Sequence, residues 1–444
     1  MSDERSAMLE AMNMKSVDDL FSDVPANMRK KSFRIPKGIS EYDLIEEARK
    51  NAAMNRYEGY RKFLGCGIYD RIIPSSVDSL ISRSEFLTSY TPYQPEISQG
   101  LLQSLFEYQS LISDLMGMDA TNASMYDGYS ALAEAVRMAF RINGKTEVLI
   151  PETLYSGKVK VIESYIMGLG LKLVRYRYEK GSGFMDLEDL SKKINDNVSS
   201  VVVENPNGFG ILDENITRTR ETVGNALIIS YVDPVSLGLI KPPGEYDCDI
   251  AVAEGQSLGI HKSLGGPLLG IMSFKKEHVR KSPGRIIGES VDADGRKAYV
   301  MTLQTREQHI RREKAMSNIC SNQALMAVAA SAYLSILGKS GLRNVALRTA
   351  SNMKRLIETF RSVKDYNPDL FSGRHFSDLP VQSRISSEDL RKRLLEKNIQ
   401  GAIPFDSLLP DLSRTYGNTS FFSVTEKHNA DDFSALKSAL EEFK

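Results

Sequence analysis

The sequence predicts an α/β fold with a mostly parallel sheet, followed by a smaller C-terminal α+β domain, on three observations. Short β-branched runs alternate with helical stretches between about residues 65 and 300. The segment before them is polar and helical. Beyond Thr302, a long helical stretch leads into amphipathic helices and a few short strand candidates. Alternation of this kind builds a parallel sheet covered by helices on both faces. Ligands of such sheets bind beyond the carboxyl ends of the strands, so loop residues immediately after strands carry most weight.

In the first segment, SVDDLFSDV offers Ser16 as a helix N-cap with acids in the first turn, and ISEYDLIEEARKNAAMN repeats the signal from Ser40. Such an arm packs either on a neighbouring subunit or as a lid on its own domain. The central strands are expected at Glu147–Ile150, Leu171–Tyr178, Ser200–Glu204, Ala226–Val232 and Ile250–Ala253, with helices over Ser156–Leu169 and Asp186–Ile194. From Thr302, QTREQHIRREKAMSNICSNQALMAVAASAYLSILG is expected to be helical, with Gly338 as its C-cap. Strand candidates follow at Phe371–Val381 and Phe421–Val424. The helices SSEDLRKRLLEKNI and ADDFSALKSALEEF carry clear capping signals. These readings divide the chain at 1–64 (helical arm), 65–305 (large domain) and 306–444 (linking helix and small domain).

Composition removes several classes of function. The 444 residues carry 57 Lys+Arg against 57 Asp+Glu, so no global field exists to hold nucleic acid or an anionic membrane. Cys66, Cys248 and Cys320 are odd in number and far apart, without CxxC spacing, which indicates neither a disulfide framework nor a zinc site. His278, His309, His375 and His428 show no metal-ligand spacing, and no metal site is expected. Neither HExxH, G-x-S-x-G, a Walker loop nor a GxGxxG after a strand occurs. The start carries acids within its first four residues and no apolar core of a signal peptide, and Ala324–Leu337 is too short to cross a bilayer. A cytoplasmic protein is the expectation.

Five loop motifs are able to carry chemistry. SYTPYQPEISQG (residues 89–100) cannot be a continuous helix, and its Tyr90, Thr91, Tyr93, Gln94, Glu96 and Ser98 supply many hydrogen-bonding groups; the bland alternative is a polar surface loop. In MYDGYSALAEA, Asp127 and Gly128 precede a helix whose first amides either hold an anion such as phosphate or are simply capped. ENPNGFG follows a strand with Asn205, Pro206 and Asn207, facing a ligand or making a turn. Asp233 ends an apolar strand, where a carboxylate pairs with a cationic ring nitrogen or caps a turn. His261-Lys262 before Gly265-Gly266-Pro267 raises a Schiff-base lysine against a generic exposed one.

TPYQPEISQG, LLQSLFEYQSLISDLMGMDATNASMYDG, ENPNGFG, EGQSLGI…GGPLLG and LQTREQHIRREKAMSNICSNQAL together resemble, in this order, the first (alpha, N-terminal-type) subunit of the glycine cleavage system P-protein, over essentially the whole chain. The resemblance implies an aspartate-aminotransferase-like fold (pyridoxal-phosphate-dependent fold type I) and a part in glycine decarboxylase. That enzyme removes the carboxylate of glycine and passes the aminomethyl group to the lipoyl H-protein. It also implies a split enzyme, an α2β2 tetramer in which the homologous second subunit anchors pyridoxal 5'-phosphate through a lysine and this chain binds none covalently. Reading back without a gap from Gly265-Gly266-Pro267 puts Gln256, not Lys262, at the position of that lysine. Asp127, Gly128, Asn205 and Asp233 are then remnants of a cofactor site, no catalytic residue is expected in this chain alone, and Tyr90–Ser98 lie at the subunit interface beside the partner's site.

Two alternatives stay open: a scaffold that only stabilises the partner, and a self-sufficient pyridoxal-phosphate lyase or aminotransferase using Lys262. REQHIRREKA, with Arg306, Arg311, Arg312 and Lys314, reads either as a solvated helix face with pairs such as Glu307–Arg311 or as an interface for the second subunit or an acidic carrier.

Overall fold

A computed structural model describes residues 2–30, 32–55, 58–319 and 323–443. Cys320 lies outside the described residues, as do the side chains of Arg306 and His309. The chain divides into two compact units, Met1–Gly59 and Tyr60–Lys444. The first unit contains helices over Ser2–Ala11 and Glu41–Ala53, with a short 3-10 turn, Val17–Phe21, between them. Ser40 caps a helix as expected, whereas Ser16 only precedes the 3-10 turn and makes no capping bond through its side chain. The Asp19 carboxylate accepts the Ser16 amide, and the Ser40 side chain accepts the Asp43 amide.

The second unit contains fifteen strands among the described residues: β1 (Arg61–Lys62), β2 (Ala120–Thr121), β3 (Glu147–Pro151), β4 (Lys172–Tyr176), β5 (Val198–Asn205), β6 (Leu227–Val232), β7 (Ile250–Glu254), β8 (Gly270–Phe274), β9 (Ile286–Val291), β10 (Lys297–Thr302), β11 (Tyr366–Asn367), β12 (Asp378–Ser383), β13 (Ile399–Gln400), β14 (Ile403–Pro404) and β15 (Thr419–Ser423). Seven of them form the central sheet in the order β2-β8-β7-β6-β5-β3-β4. The pairs from β4 to β7 are parallel, while β8 runs antiparallel to β7 and β2. Successive side chains of the central strands enter opposite cores. Val201, Val203, Ile228 and Ala251 pack with the long helix Gln99–Met116, whereas Val202, Ile229, Ile250 and Val252 pack with Gly128–Asn143. This two-sided burial explains why these strands read as uninterrupted apolar runs.

Two-strand pairing of β9 with β10 gives a hairpin beside the sheet. The smaller sheet, ordered β11-β12-β15-β14, packs against the end of a helix spanning Ala324–Arg361 and against the helices Ser387–Glu396 and Ala430–Glu442. The short strand β1 pairs with β13 from this C-terminal region.

The structure departs from the single helix expected from Thr302 onward. Among the described residues from Thr302 to Ile319 it has only short helical turns, interrupted by the left-handed backbone of Leu303 (φ 57°) and Arg312 (φ 53°). The body of the protein recruits this segment instead, with Glu307 against Arg285 and Ser317 donating to the buried Glu134. A regular helix begins only at Ala324, and Gly338 (φ 58°, ψ −174°) breaks it as its sequence suggested. That helix is long and apolar enough, by length and composition, to cross a membrane, yet Ala327, Val328, Ala329, Ala330 and Tyr333 are buried in the main core.

Candidate functional site at the carboxyl edge of the sheet

The loops after β3, β5, β6 and β7 converge at one edge of the sheet, where the doubly wound topology places ligands. They enclose a cavity of about 50 Å³ lined by Tyr69, Tyr155, Lys158, Glu204, Tyr231, Asp233, Glu254 and Asp378, among others. That space suits a few water molecules. Pockets that take cofactors hold roughly 300–1,000 Å³.

Side chains of the protein itself fill the rest. Lys158, near the start of the helix Ser156–Ile166, donates to Glu204 Oε1 at 2.6 Å and lies 3.8 Å from the centre of the Tyr231 ring. Burial pushes the Glu204 carboxyl up while Lys158 opposes the shift. Arg71 is buried between Glu426 (2.8 Å) and Asp233 (3.6 Å). Burial likewise raises Asp233 and Arg71 holds it down. Asp378 accepts the Tyr69 hydroxyl at 2.5 Å, the Cys66 amide at 3.0 Å and the Ser423 hydroxyl at 2.6 Å.

At the start of the helix Gly128–Asn143, carboxylates take the amides that an anion would use. Asp127 Oδ1 accepts the amides of Tyr129 (2.8 Å) and Ser130 (2.9 Å). Glu254 Oε2 accepts the Gly128 amide at 2.8 Å, and its Oε1 accepts Gln256 (2.9 Å) and Leu269 (3.2 Å). No side chain fits at 128, because a Cβ there would sit 2.7 Å from the Tyr231 hydroxyl and 2.9 Å from Glu254. Burial, only partly opposed by those amides, pushes the Glu254 carboxyl up to about 7.

Gln256 is 1% exposed. Its Oε1 accepts the Tyr69 amide (2.9 Å), and its Nε2 donates to the carbonyls of Tyr69 (3.0 Å) and Ile260 (2.7 Å). It is thus fixed as a clamp between two loops. These residues do not fit pyridoxal phosphate: carboxylates take the helix amides, Gln256 is spent on Tyr69 and Ile260, and Lys158, which lines the cavity, is locked to Glu204.

Of the remaining sequence candidates, Pro206 and Asn207 also line the cavity, whereas Asn205, His261 and Lys262 do not. Asn205 accepts the Asp213 amide, and Asn207 bonds Gly183, Phe209 and Ile211, so ENPNGFG is held as a structural turn. His261 pairs with Asp78 at 3.0 Å, and Lys262 lies 3.6 Å from Asp70, outside the cavity lining. Burial lowers Lys262 and Asp70 opposes that shift.

Tyr90, Thr91, Tyr93, Gln94, Glu96 and Ser98 form one loop that also stays outside the cavity lining. The loop ends in a 3-10 turn, Pro95–Ile97, before the helix Gln99–Met116. Tyr90, Tyr93, Gln94 and Glu96 are exposed, while Thr91 and Ser98 are half-buried. Gln99 anchors the far end, with Nε2 on the Tyr299 carbonyl at 2.9 Å and Oε1 accepting the Tyr299 amide at 2.8 Å. Sequence reading missed Arg71, Lys158, Glu254 and Arg285. Of these, only Glu254 carried a visible signal, its place at the end of an apolar strand.

Among the described residues, no group of three or more His, Cys, Asp or Glu side chains is placed to hold a metal ion. Residues 1–440 match the family model for the glycine cleavage system P-protein. A probable glycine dehydrogenase (decarboxylating) subunit 1 from Thermoplasma acidophilum is 56% identical over 441 residues, covering 99% of each chain. A protein of the same description from Saccharolobus islandicus is 42% identical over 98% of this chain and 95% of its own length. A crystal structure of glycine decarboxylase (P-protein) of the glycine cleavage system, in inhibitor-bound form, superposes with a TM-score of 0.90 at 38% identity, covering 100% of this chain and 98% of that one. A cysteine desulfurase from Thermococcus onnurineus, at 16% identity and a TM-score of 0.64 over 93% of this chain and 99% of its own, shares the fold alone, that of pyridoxal-phosphate-dependent fold type I.

Proposed function

This chain belongs to the glycine cleavage system P-protein family, and we propose that it is subunit 1 of a heteromeric glycine dehydrogenase (decarboxylating), the subunit that anchors no cofactor. On this reading a homologous partner subunit holds pyridoxal phosphate, and two of each chain form an α2β2 assembly. The observation that supports it most is the edge of the sheet just described. Gln256 clamps two loops where an anchoring lysine would stand, and Asp127 and Glu254 hold the helix amides that would bind a phosphate.

The electron sink for loss of the glycine carboxylate is then the partner's cofactor. What this chain supplies is a wall. Tyr90, Thr91, Tyr93, Gln94 and Glu96 reach the mouth of the partner's site, orient glycine and exclude water, and moving a carboxylate out of water favours its loss. The lipoyl H-protein receives the aminomethyl group at that same mouth.

Glu96→Gln and Gln94→Ala in the co-expressed heteromer test this role. Both side chains are exposed in the isolated chain, so folding is spared. Turnover is expected to fall about tenfold or more with the complex intact on gel filtration. Full turnover in both variants would reduce the chain to a scaffold.

A further inference from the structure

We propose that Arg285 is a positioning residue for the decarboxylation: it fixes the direction in which the loop Thr91–Glu96 is presented to the partner subunit. The inference rests on the reading that this loop reaches the partner's site, and adds a residue that no motif in the sequence marks.

Arg285 immediately precedes β9 and is 4% exposed. Its own carbonyl accepts the Ala123 amide at 2.7 Å, so the hairpin β9–β10 holds its backbone to the body of the domain. Its guanidinium faces three groups at once. Nη1 lies 3.3 Å from Thr91 Oγ1, Nη2 lies 3.2 Å from Tyr93 Oη, and Nε lies 3.5 Å from Glu307 Oε2. The guanidinium carbon also stands 5.4 Å from the centre of the Tyr93 ring. Glu307 is itself buried.

A planar fork with five fixed donors engages separate oxygens in several directions, which a lysine ammonium on a flexible stem does not. Behind an exposed loop sits a buried cation whose contacts set where the loop points. The same cation draws in Glu307, so TPYQPEISQG and REQHIRREKA, far apart in the chain, share one anchor. A misplacement of about 1 Å in a residue that orients substrate costs up to roughly a hundredfold in rate.

The test compares Arg285→Lys, Thr91→Val and their combination in the co-expressed heteromer. Arg285→Lys keeps a charge for Glu307 but loses the fork. Thr91→Val leaves Arg285 and its pairing with Glu307 intact and removes one oxygen that it holds. We expect kcat to fall about 10–100-fold in Arg285→Lys and less in Thr91→Val. KM for glycine should move less than about threefold, and the double variant should be no slower than Arg285→Lys alone. Methylguanidinium should restore part of the turnover of Arg285→Ala.

Wild-type kcat in Arg285→Lys and Thr91→Val, with Glu96→Gln impaired, overturns the role of Arg285 and leaves the interface reading standing. Wild-type kcat in all of them overturns both. If Arg285→Lys does not fold, Thr91→Val alone decides, since an unchanged kcat there contradicts the proposal.

Discussion

The Glu254 carboxylate accepts the backbone amide of Gly128 at 2.8 Å, in the seat that the start of a helix offers to an anion. A second carboxylate, Asp127, holds the next two amides. Two acids from the chain therefore hold the amides that the start of this helix would offer to an anion, and the stability of the edge depends on the protonation of Glu254.

Buried Glu254 is pushed up to about 7, against about 4.3 for an exposed glutamate. The folded chain thus holds a proton that the unfolded chain has already released. Its stabilisation is complete below about pH 4 and is lost as the pH rises to 7, by about 3 kcal/mol at most. Burial of Asp213, raised to about 6, acts with the same sign. Burial of His375, lowered to about 4, acts oppositely, because its contribution is lost as the pH falls from about 6.5. Comparing denaturant midpoints of the protein and Glu254→Gln isolates one group. The advantage of the protein over the variant should shrink between pH 5 and 8, and a constant difference would show that Glu254 titrates normally.

Placing an amine at position 256 should not create a cofactor site. Gln256→Lys removes three hydrogen bonds to Tyr69 and Ile260 and buries an ammonium among backbone groups arranged for an amide. Destabilisation of about 3 kcal/mol or more is expected. No borohydride-trappable adduct should form at position 256 with added pyridoxal phosphate. Label found at that position of the Gln256→Lys variant on peptide mapping would show that the seat is still open.

Arg71 separates two buried acids, Glu426 at 2.8 Å and Asp233 at 3.6 Å. Arg71→Met leaves both without their cation, at a cost of about 3–5 kcal/mol. Adding Asp233→Asn should return part of that loss. If equilibrium unfolding shows no recovery in the double variant, Asp233 is not paired through Arg71.

ENPNGFG owes its glycines to close approach. Gly210 has φ 77°, and a Cβ there would lie 2.1 Å from the Asp378 carbonyl oxygen; at Gly208 a Cβ would meet the Thr153 carbonyl oxygen at 1.9 Å. Gly210→Ala should destabilise by more than about 1 kcal/mol through strain and displacement of β12. A wild-type melting temperature would mean that the turn relaxes freely.

The fold was legible where one local signal decided it. The runs at Glu147, Ser200, Ala226 and Ile250 became central strands because burial on both faces leaves an unbroken apolar run. Ser40 and Ser386 opened helices where the capping signals stood. The stretch Thr302–Ile319 misled because helix propensity is a weak prior beside the tertiary demands on Glu307 and Ser317. The site was half legible. Asp127 was legible from its capping position, whereas Gln256 was singled out only through the family resemblance. The partners that fill the edge were hidden, since Tyr69 and Asp378 stand 309 positions apart and no pattern announces their contact.

The most direct test of the account is reconstitution with borohydride trapping. Purified alone with pyridoxal phosphate, the chain should release no CO2 from glycine and carry no reduced cofactor on any lysine. Mixed with the homologous second subunit it should yield an active complex labelled only on that partner. Glycine decarboxylation by this chain alone, with cofactor trapped on Lys262 or Lys158, would contradict it.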